Sequence, residues 1–219
     1  MSINDANTPK RRRGRPSQEI GNAHALIRAT ALREFARAGF AGVSIADIAQ
    51  AAGVAKPLIH YHFESKDALW EAAVSEGFSI LQRDLASFRE LLPTEGTTSD
   101  TLRQIAHQLV RYAARYPELT RIVINESGLG GSRSDWLSQK YLLPGYRLAQ
   151  LGLNLFRHTH TNPNTLSSPE HMIPVVLGVM NFPFLESKLL HEAFGTDVQS
   201  DAYLDKQGDV LFTVIQTLL

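Results

Sequence analysis

The chain has 219 residues, enough for one large domain or two small ones, and its 43% hydrophobic and 20% charged residues are typical of a globular protein in solution. It contains no cysteine, which excludes disulfides, thiolate nucleophiles and cysteine-ligated zinc. The charged N-terminus lacks a following apolar core, and no run of about 18 apolar residues occurs. The sequence therefore predicts neither a signal peptide nor a membrane span, and we expect a cytoplasmic location.

The net charge is zero, but its distribution is uneven. Residues 1–70 contain 10 Lys and Arg against 6 Asp and Glu, whereas the rest contains 12 against 16. Half of the N-terminal basic residues lie in one run, KRRRGRP, from Lys10 to Pro16. Such a segment attracts polyanions through counterion release. The alternative is a solvated tail that only aids solubility.

The first predicted helices follow a polar arm over residues 1–20, which lacks helical spacing of apolar side chains. Helical spacing then runs over about 22–39 and ends at a glycine. Ser44, with Asp47 three residues on, resembles a capping box. We therefore expect a short second helix that ends at Gly53.

The middle of the chain continues as helices. Pro57 is tolerated only in the first turn of a third helix, and Ser65 caps a fourth that extends to about residue 92. Residues 93–100 predict a loop. Another helix then ends at Tyr116, and Pro117 begins the next.

The C-terminal third has three predicted helices after a glycine-rich connector over 127–134. The first covers 136–158 and should be kinked or broken at Pro144. The second follows a loop and covers 168–194, with a bend at Pro183. The third begins near Asp201 and has leucines seven residues apart. With no alternating strand pattern, the fold class is all-α with about nine helices.

Residues 44–63 have the pattern of a helix-turn-helix. Such a unit needs a small residue where the helices cross, a glycine in the turn and an apolar anchor in the second helix. Ala49, Gly53 and Ile59 occupy these places, with spacings of four and six residues. Helical hairpins are common, so this pattern alone is not specific. Together with the basic arm that precedes it, the pattern indicates a helix-turn-helix.

The segment AGFAGVSIADIAQAAGVAKPLIHYHFESKDALW, Ala38–Trp70, closely resembles the DNA-binding segment of the tetracycline-repressor (TetR) family of bacterial transcription regulators. The matching positions are Gly39, Phe40, Ile48, Ala49, Ala52, Gly53, Val54, Pro57, Tyr61, His62, Phe63, Ser65, Lys66, Asp67 and Leu69. The resemblance is specific over about residues 22–72. It implies a basic arm over 1–20, a helix-turn-helix DNA-binding domain over 21–66, and a helical ligand-binding and dimerisation domain over 67–219.

The resemblance also implies which residues face DNA. The third helix would enter the major groove, which fits an α-helix. Its DNA-facing or flanking residues are then Lys56, Pro57, Leu58, His60, Tyr61 and His62. Ser44 and Lys66 would anchor phosphates at helix N-termini, and the arm residues Arg11, Arg12, Arg13 and Arg15 would lie along phosphates or in a flanking minor groove.

This chain departs from the family pattern at three places. Val43-Ser44 stands where two threonines are usual, His60 stands where tyrosine is common, and Ala55 replaces the frequent Ser or Thr cap. These departures leave the target sequence and the individual contacts open.

For the rest of the chain the resemblance implies a homodimer, with segments 170–194 and 201–219 pairing with those of a second copy. The middle helices would enclose a pocket for a small-molecule effector of unknown identity. Apolar and aromatic residues with few polar groups suit such a pocket: Phe78, Tyr112, Ile124, Asn125, Tyr146, Met180, Asn181 and Phe184. Each of them is equally compatible with plain core.

Metal and enzyme hypotheses find little support. His60 and His62 are two residues apart, and side chains at that spacing in a helix point about 200° away from each other, so they do not hold one metal ion. His158 and His160 share the spacing in a predicted loop, where solvated side chains are the commoner case. GLGGS resembles a phosphate-loop fragment, yet no strand precedes it and no Gly-Lys-Ser/Thr follows. We expect no enzyme, no cofactor and no metal.

The sequence thus predicts a sequence-specific DNA-binding transcriptional regulator, more specifically a repressor released from a palindromic operator by a small molecule. Its partners would be double-stranded DNA, the effector and a second copy, with no membrane. An architectural or nucleoid-associated DNA-binding protein without an inducer is the alternative.

Overall fold

A computed structural model of the protein describes residues 17–86, 99–159 and 168–219, and every regular element within these ranges is helical. It has eleven α-helices over the described residues, with a π-helical turn, Ser138–Leu142, between the seventh and the eighth. The helices are α1 Ser17–Ala38, α2 Ile45–Ala52, α3 Lys56–His62, α4 Lys66–Ala86, α5 Ser99–Arg115, α6 Pro117–Leu129, α7 Ser132–Leu137, α8 Leu143–Thr159, α9 Pro169–Leu185, α10 Ser187–Phe194 and α11 Asp201–Leu218. The all-α prediction is confirmed.

Several predicted boundaries shift. The first helix begins at Ser17, so part of the predicted arm over 1–20 is helical. α4 is described to Ala86, and the predicted end near residue 92 lies outside the described residues. The last two residues of the loop predicted over 93–100, Ser99 and Asp100, belong instead to the first turn of α5. The count rises from about nine because two predicted helices are each divided.

One of two hydrophobic clusters joins the helix-turn-helix to later helices. Its fully buried members include Ile27 and Phe35 of α1, Ile48 of α2, Ile59 of α3, Trp70 of α4, Ile122 of α6 and Leu137 of α7. Burial of apolar side chains such as these is the main stabilising contribution to a small helical unit. Helices α1, α2 and α3 therefore share their core with α4, α6 and α7.

The second cluster lies among α5, α9 and α11. Its buried members include Ile105, Val110, Met172, Leu211 and Ile215. Charged residues line the edge of the α5–α11 contact, where Arg103 pairs with Asp209 at 2.8 Å and Arg111 pairs with Asp205 at 2.7 Å. The burial of Leu211 agrees with the leucine spacing that predicted α11.

The predicted connector over 127–134 is wrong in its extent. α6 continues through Leu129 and α7 begins at Ser132, so only Gly130 and Gly131 lie between them. Both have positive φ, 69° and 90°, a region that residues with a β-carbon rarely adopt. Two glycines are therefore enough to end α6 and connect it to α7, and the polar residues around them are helical.

The interruption expected at Pro144 appears as a π-helical turn. The amide of Leu143 donates to the carbonyl of Ser138, five residues earlier, and the helical run extends from Ser132 to Thr159. Proline has no amide hydrogen and its ring crowds the preceding turn, so a locally wider helix accommodates it without a break. The predicted start at Trp136 is corrected to Ser132.

The predicted helix over 168–194 is divided as Pro183 led us to expect. α9 and α10 meet at an angle of 69°, three residues after that proline. Pro183 cannot donate to the carbonyl of Val179, and the side-chain amide of Gln207 on α11 donates to it instead, at 2.8 Å. Among the described helices none is alone long and apolar enough to cross a membrane, while the bent α9–α10 pair reaches that length and composition only when its two parts are combined.

Candidate nucleic-acid interface

The capping box predicted at the start of α2 is present. The Ser44 hydroxyl oxygen accepts the Asp47 amide at 3.1 Å, and the Asp47 carboxylate accepts the Ser44 amide at 2.8 Å. The Ser44 hydroxyl also donates to the Asp47 carboxylate at 2.7 Å, and this bond, followed by the one from the Ser44 amide, holds the pKa of the Asp47 carboxyl below its ordinary value. Ser44 is thus fixed in an exposed position at the N-terminus of α2, where unpaired backbone amides favour an anion.

The turn between α2 and α3 has the geometry that the sequence pattern requires. Gly53 has φ 65° and ψ 30°, in the left-handed region. The amide of Val54 donates to the carbonyl of Ala49 at 3.0 Å, which closes the turn. Ala49 is buried where the helices cross, so both residues predicted for this motif have their expected roles.

One side of α3 is anchored in the core and the other faces outward. Ile59 is fully buried, whereas Lys56, Pro57, His60 and Tyr61 are exposed. Pro57 lies in the first turn, and Ala55 makes no side-chain cap. The exposed side is therefore accessible to another macromolecule, while Ile59 keeps the helix anchored in the core.

The structure separates His60 from His62. His60 is exposed, but the half-buried ring of His62 packs edge-on against His24 of α1, with centroids 5.2 Å apart. The Nε2 atom of His62 is buried without a hydrogen-bond partner among the described residues. Burial first, and then the charges of Arg28 and His62, lower the pKa of His24. The two histidines of the H-x-H pair therefore have different surroundings.

Two other residues predicted to contact DNA, Leu58 and Lys66, are half-buried. Leu58 is half-buried and packs against the first core cluster. Lys66 opens α4, behind the Ser65 hydroxyl that accepts the Ala68 amide at 3.0 Å. The ammonium of Lys66 lies over the Phe40 ring, 4.3 Å from its centroid. The arm residues Arg11, Arg12, Arg13 and Arg15 lie outside the described residues.

The eight residues predicted to bind an effector are distributed over several environments. Phe78 is buried in the first cluster and stacks on Tyr141, with centroids 4.3 Å apart. Met180 and Phe184 belong to the second cluster. Two polar candidates have partners: the Tyr112 hydroxyl donates to the Asp84 carbonyl at 2.7 Å, and the Asn181 side-chain oxygen accepts the Thr120 hydroxyl at 2.8 Å. Of the remaining three, Asn125 is half-buried and Ile124 and Tyr146 are exposed.

An ion pair that was not predicted from the sequence joins α6 and α7. Nε of Arg133 lies 3.1 Å from the carboxylate of Glu126, which is only 2% exposed. The two residues are seven apart on either side of the glycine pair; Arg133 lies within the predicted connector over 127–134, and Glu126 immediately precedes it. Their opposite charges were the available signal, but the buried setting depends on packing that the sequence does not show.

A capped helix, a tight glycine turn and a second helix with a buried anchor and an exposed outer side define a helix-turn-helix DNA-binding protein. Residues 27–73 match the model of the bacterial regulatory proteins of the tetR family. This segment resembles the DNA-binding domain of TetR-family regulators, and the protein is a DNA-binding transcriptional regulator.

Comparisons over most of the chain agree with this assignment. The chain is 25% identical over 164 residues to the "Probable HTH-type transcriptional regulator YttP" of Bacillus subtilis, covering 74% of this chain and 77% of that protein. It is 26% identical over 208 residues to the HTH-type transcriptional regulatory protein RaaS of Mycobacterium tuberculosis, covering 81% and 93%. Both relatives are named as regulators and not as enzymes.

A solved structure shows the same fold. It is described as a transcriptional regulator from Saccharomonospora viridis in complex with choline. It superposes with a TM-score of 0.60 at 18% identity, covering 90% of this chain and 96% of that one. The likeness extends through the C-terminal helices, beyond the segment that the family model matches.

Proposed function

We propose that the protein is a repressor that binds a palindromic operator as a homodimer and is released by a small-molecule effector. The exposed side of α3, opposite the buried Ile59, is the observation that carries this proposal. A single helix-turn-helix reads one half-site, and two such modules are needed for tight specific binding. The protein would act on chromosomal DNA in the cytoplasm.

The proposed DNA contacts divide by chemistry. Lys56 is the base-edge donor, Pro57 and Leu58 meet a thymine methyl, and His60, Tyr61 and His62 complete or flank the reading surface. Ser44 and Lys66 bind phosphates at the N-termini of α2 and α4. The basic arm, with Arg11, Arg12, Arg13 and Arg15, adds phosphate or minor-groove contacts.

We divide the chain into a DNA-binding unit over 21–66 and a ligand-binding and dimerisation unit over 67–219. Segments 170–194 and 201–219 carry exposed apolar side chains, namely Val175, Phe182, Leu189, Phe194 and Val210. Large apolar side chains exposed on these segments favour contact with a second copy. Sedimentation equilibrium tests this directly, because a monomer has a mass of 24.3 kDa and a dimer has twice that mass.

For the effector we propose the region between the two hydrophobic clusters. The support is that Tyr112, Thr120 and Asn181 carry half-buried polar groups on α5, α6 and α9, and that the Thr120 hydroxyl donates to Asn181 across α6 and α9. The other proposed residues are Phe78, Ile124, Asn125, Tyr146, Met180 and Phe184. The chain has two tryptophans, Trp70 and Trp136, in contact at 5.4 Å between centroids, so their fluorescence can report binding during a metabolite screen.

The decisive experiment is selection of bound DNA from a random pool, followed by a screen for metabolites that release it. We expect enrichment of a palindrome whose half-sites lie about 34–36 Å apart, or a multiple of that distance. A genomic footprint with broad coverage and no enriched sequence would instead favour an architectural protein without an inducer. Release by a metabolite supports the repressor mechanism, since a ligand shifts the equilibrium only if it binds the two states differently.

A further inference from the structure

One arginine of the C-terminal region contacts the turn before α2 and the first turn of α4. The guanidinium carbon of Arg133, on α7, lies 3.7 Å from the centroid of Phe40, in the turn between α1 and α2. Nη1 of the same side chain lies 3.4 Å from the carboxylate of Asp67, in the first turn of α4. Arg133 therefore contacts the structure on both sides of the helix-turn-helix.

A buried carboxylate holds Arg133 in this position. Glu126 of α6 is 2% exposed and pairs with Nε of Arg133 at 3.1 Å. An ionised group at that depth needs a charged partner, so the pair is strongly favoured over separation. Gly130 and Gly131, both with positive φ, lie between the two residues and connect α6 to α7. The guanidinium is consequently fixed on α6 as well as on α7.

The ring of Phe40 carries a second cation. Nζ of Lys66 lies 4.3 Å from the same ring centroid, within the range of a cation–π interaction. Lys66 is the residue that we propose to bind a DNA phosphate at the N-terminus of α4. The Phe40 ring therefore contacts both the Arg133 guanidinium and the Lys66 ammonium.

We infer that Arg133 is a positioning residue for DNA binding, acting through Phe40 on the phosphate contact of Lys66. The inference rests on the proposed DNA contact and adds a route from α6 and α7 to it: Glu126, Arg133, Phe40, Lys66. Arg133 itself does not touch DNA. A rearrangement of α6 relative to α7 would move the guanidinium and so alter the phosphate contact.

The test measures the salt dependence of binding to the selected operator and to a random-sequence duplex of equal length. For Arg133→Gln we expect about tenfold weaker binding and a log–log salt slope that is smaller by about one per protomer, as when one phosphate is no longer neutralised. Arg147→Gln, which removes an exposed arginine on α8, is the matched control and should leave both quantities unchanged. In a Lys66→Gln background, Arg133→Gln should have little further effect, because both changes act on one contact.

Arg133→Gln alone leaves Glu126 buried without its partner, so folding is checked by circular dichroism. Should that variant not fold, Arg133→Gln with Glu126→Gln removes both charges and carries the same expectation. The inference is overturned if wild type binds DNA and the variants match Arg147→Gln in affinity and slope, or if the Arg133 and Lys66 effects add. Failure of wild type to bind either duplex would overturn the proposed function together with the inference.

Discussion

The imidazole of His107 on α5 packs directly against the α-carbon of Gly208 on α11. A β-carbon added at position 208 would lie 2.6 Å from Cγ of that ring. The ring is also 3.1 Å from the carboxylate of Asp209, which Arg103 pairs with as well. A glycine inside a helix destabilises it by about 1 kcal/mol relative to alanine. The close approach of α5 explains why position 208 is nevertheless a glycine.

Gly208→Ala should therefore destabilise the protein, even though alanine is the better helix former. The added methyl group must displace either His107 or α11, and overpacking of this kind costs about 1–3 kcal/mol. Gly152→Ala on α8 is the control, because a β-carbon there meets nothing within 4 Å. Urea unfolding should show a lower midpoint for Gly208→Ala and an equal or higher one for Gly152→Ala. Equal shifts in both variants would contradict the packing argument.

This contrast shows which features the sequence could predict. The cap at Ser44, the turn at Gly53 and the first-turn Pro57 depend on neighbours within four residues, and all three were predicted. Position 208 requires glycine because of the His107 side chain on another helix, and the hydrophobic periodicity of the sequence does not reveal that contact.

The same limit applies to the candidate site. The outward side of α3 follows from the helical phase of the buried Ile59, so its exposed residues could be predicted. The burial of His62 against His24 could not be predicted, because α1 and α3 meet only in the folded chain. The contact of Arg133 with Phe40 likewise joins residues 93 positions apart.

Loss of the α2 cap should weaken the whole DNA-binding unit. Ser44→Ala removes the hydroxyl that accepts the Asp47 amide, and N-cap losses cost about 0.5–2 kcal/mol. Ser44→Gly should cost less, since glycine is tolerated at this position. Thermal unfolding of the two variants beside wild type checks the order. A result in which glycine is worse than alanine would argue against the cap as the cause.

A lower pH should reduce the difference in the free energy of unfolding between wild type and Ser44→Ala. The bonds from Ser44 hold the pKa of Asp47 below its ordinary value of 3.8. A carboxyl group whose pKa is lower in the folded state stabilises the fold above its unfolded pKa, and this stabilisation disappears as the pH falls through the folded pKa. Unfolding curves at pH 6 and pH 3 should therefore show a smaller difference between the two proteins at pH 3. A pH-independent difference would show that the carboxylate takes no part.

Removal of residues 1–16 should flatten the salt dependence of DNA binding. The segment carries Lys10 and four arginines, and the log–log slope falls by about 0.9 for every DNA phosphate that the shortened chain no longer neutralises. Replacing the four arginines with glutamine in the full-length chain separates the effect of charge from that of chain length. An unaltered slope in both variants would indicate that the basic run only aids solubility.

Lys56→Ala tests the reading surface itself. Lys56 is exposed at the first turn of α3, and a lysine that donates to a base edge contributes about 1–3 kcal/mol of discrimination. The variant should bind the selected operator more weakly and lose preference at one position of each half-site, while its affinity for random duplex falls less. Lys188→Ala on α10, an equally exposed lysine outside the DNA-binding unit, is the control. If Lys56→Ala weakens operator and random duplex by the same factor, Lys56 binds phosphate and not a base. If neither affinity changes, the residue lies off the DNA, and specificity must come from His60 and Tyr61 on the next turn of the same exposed side.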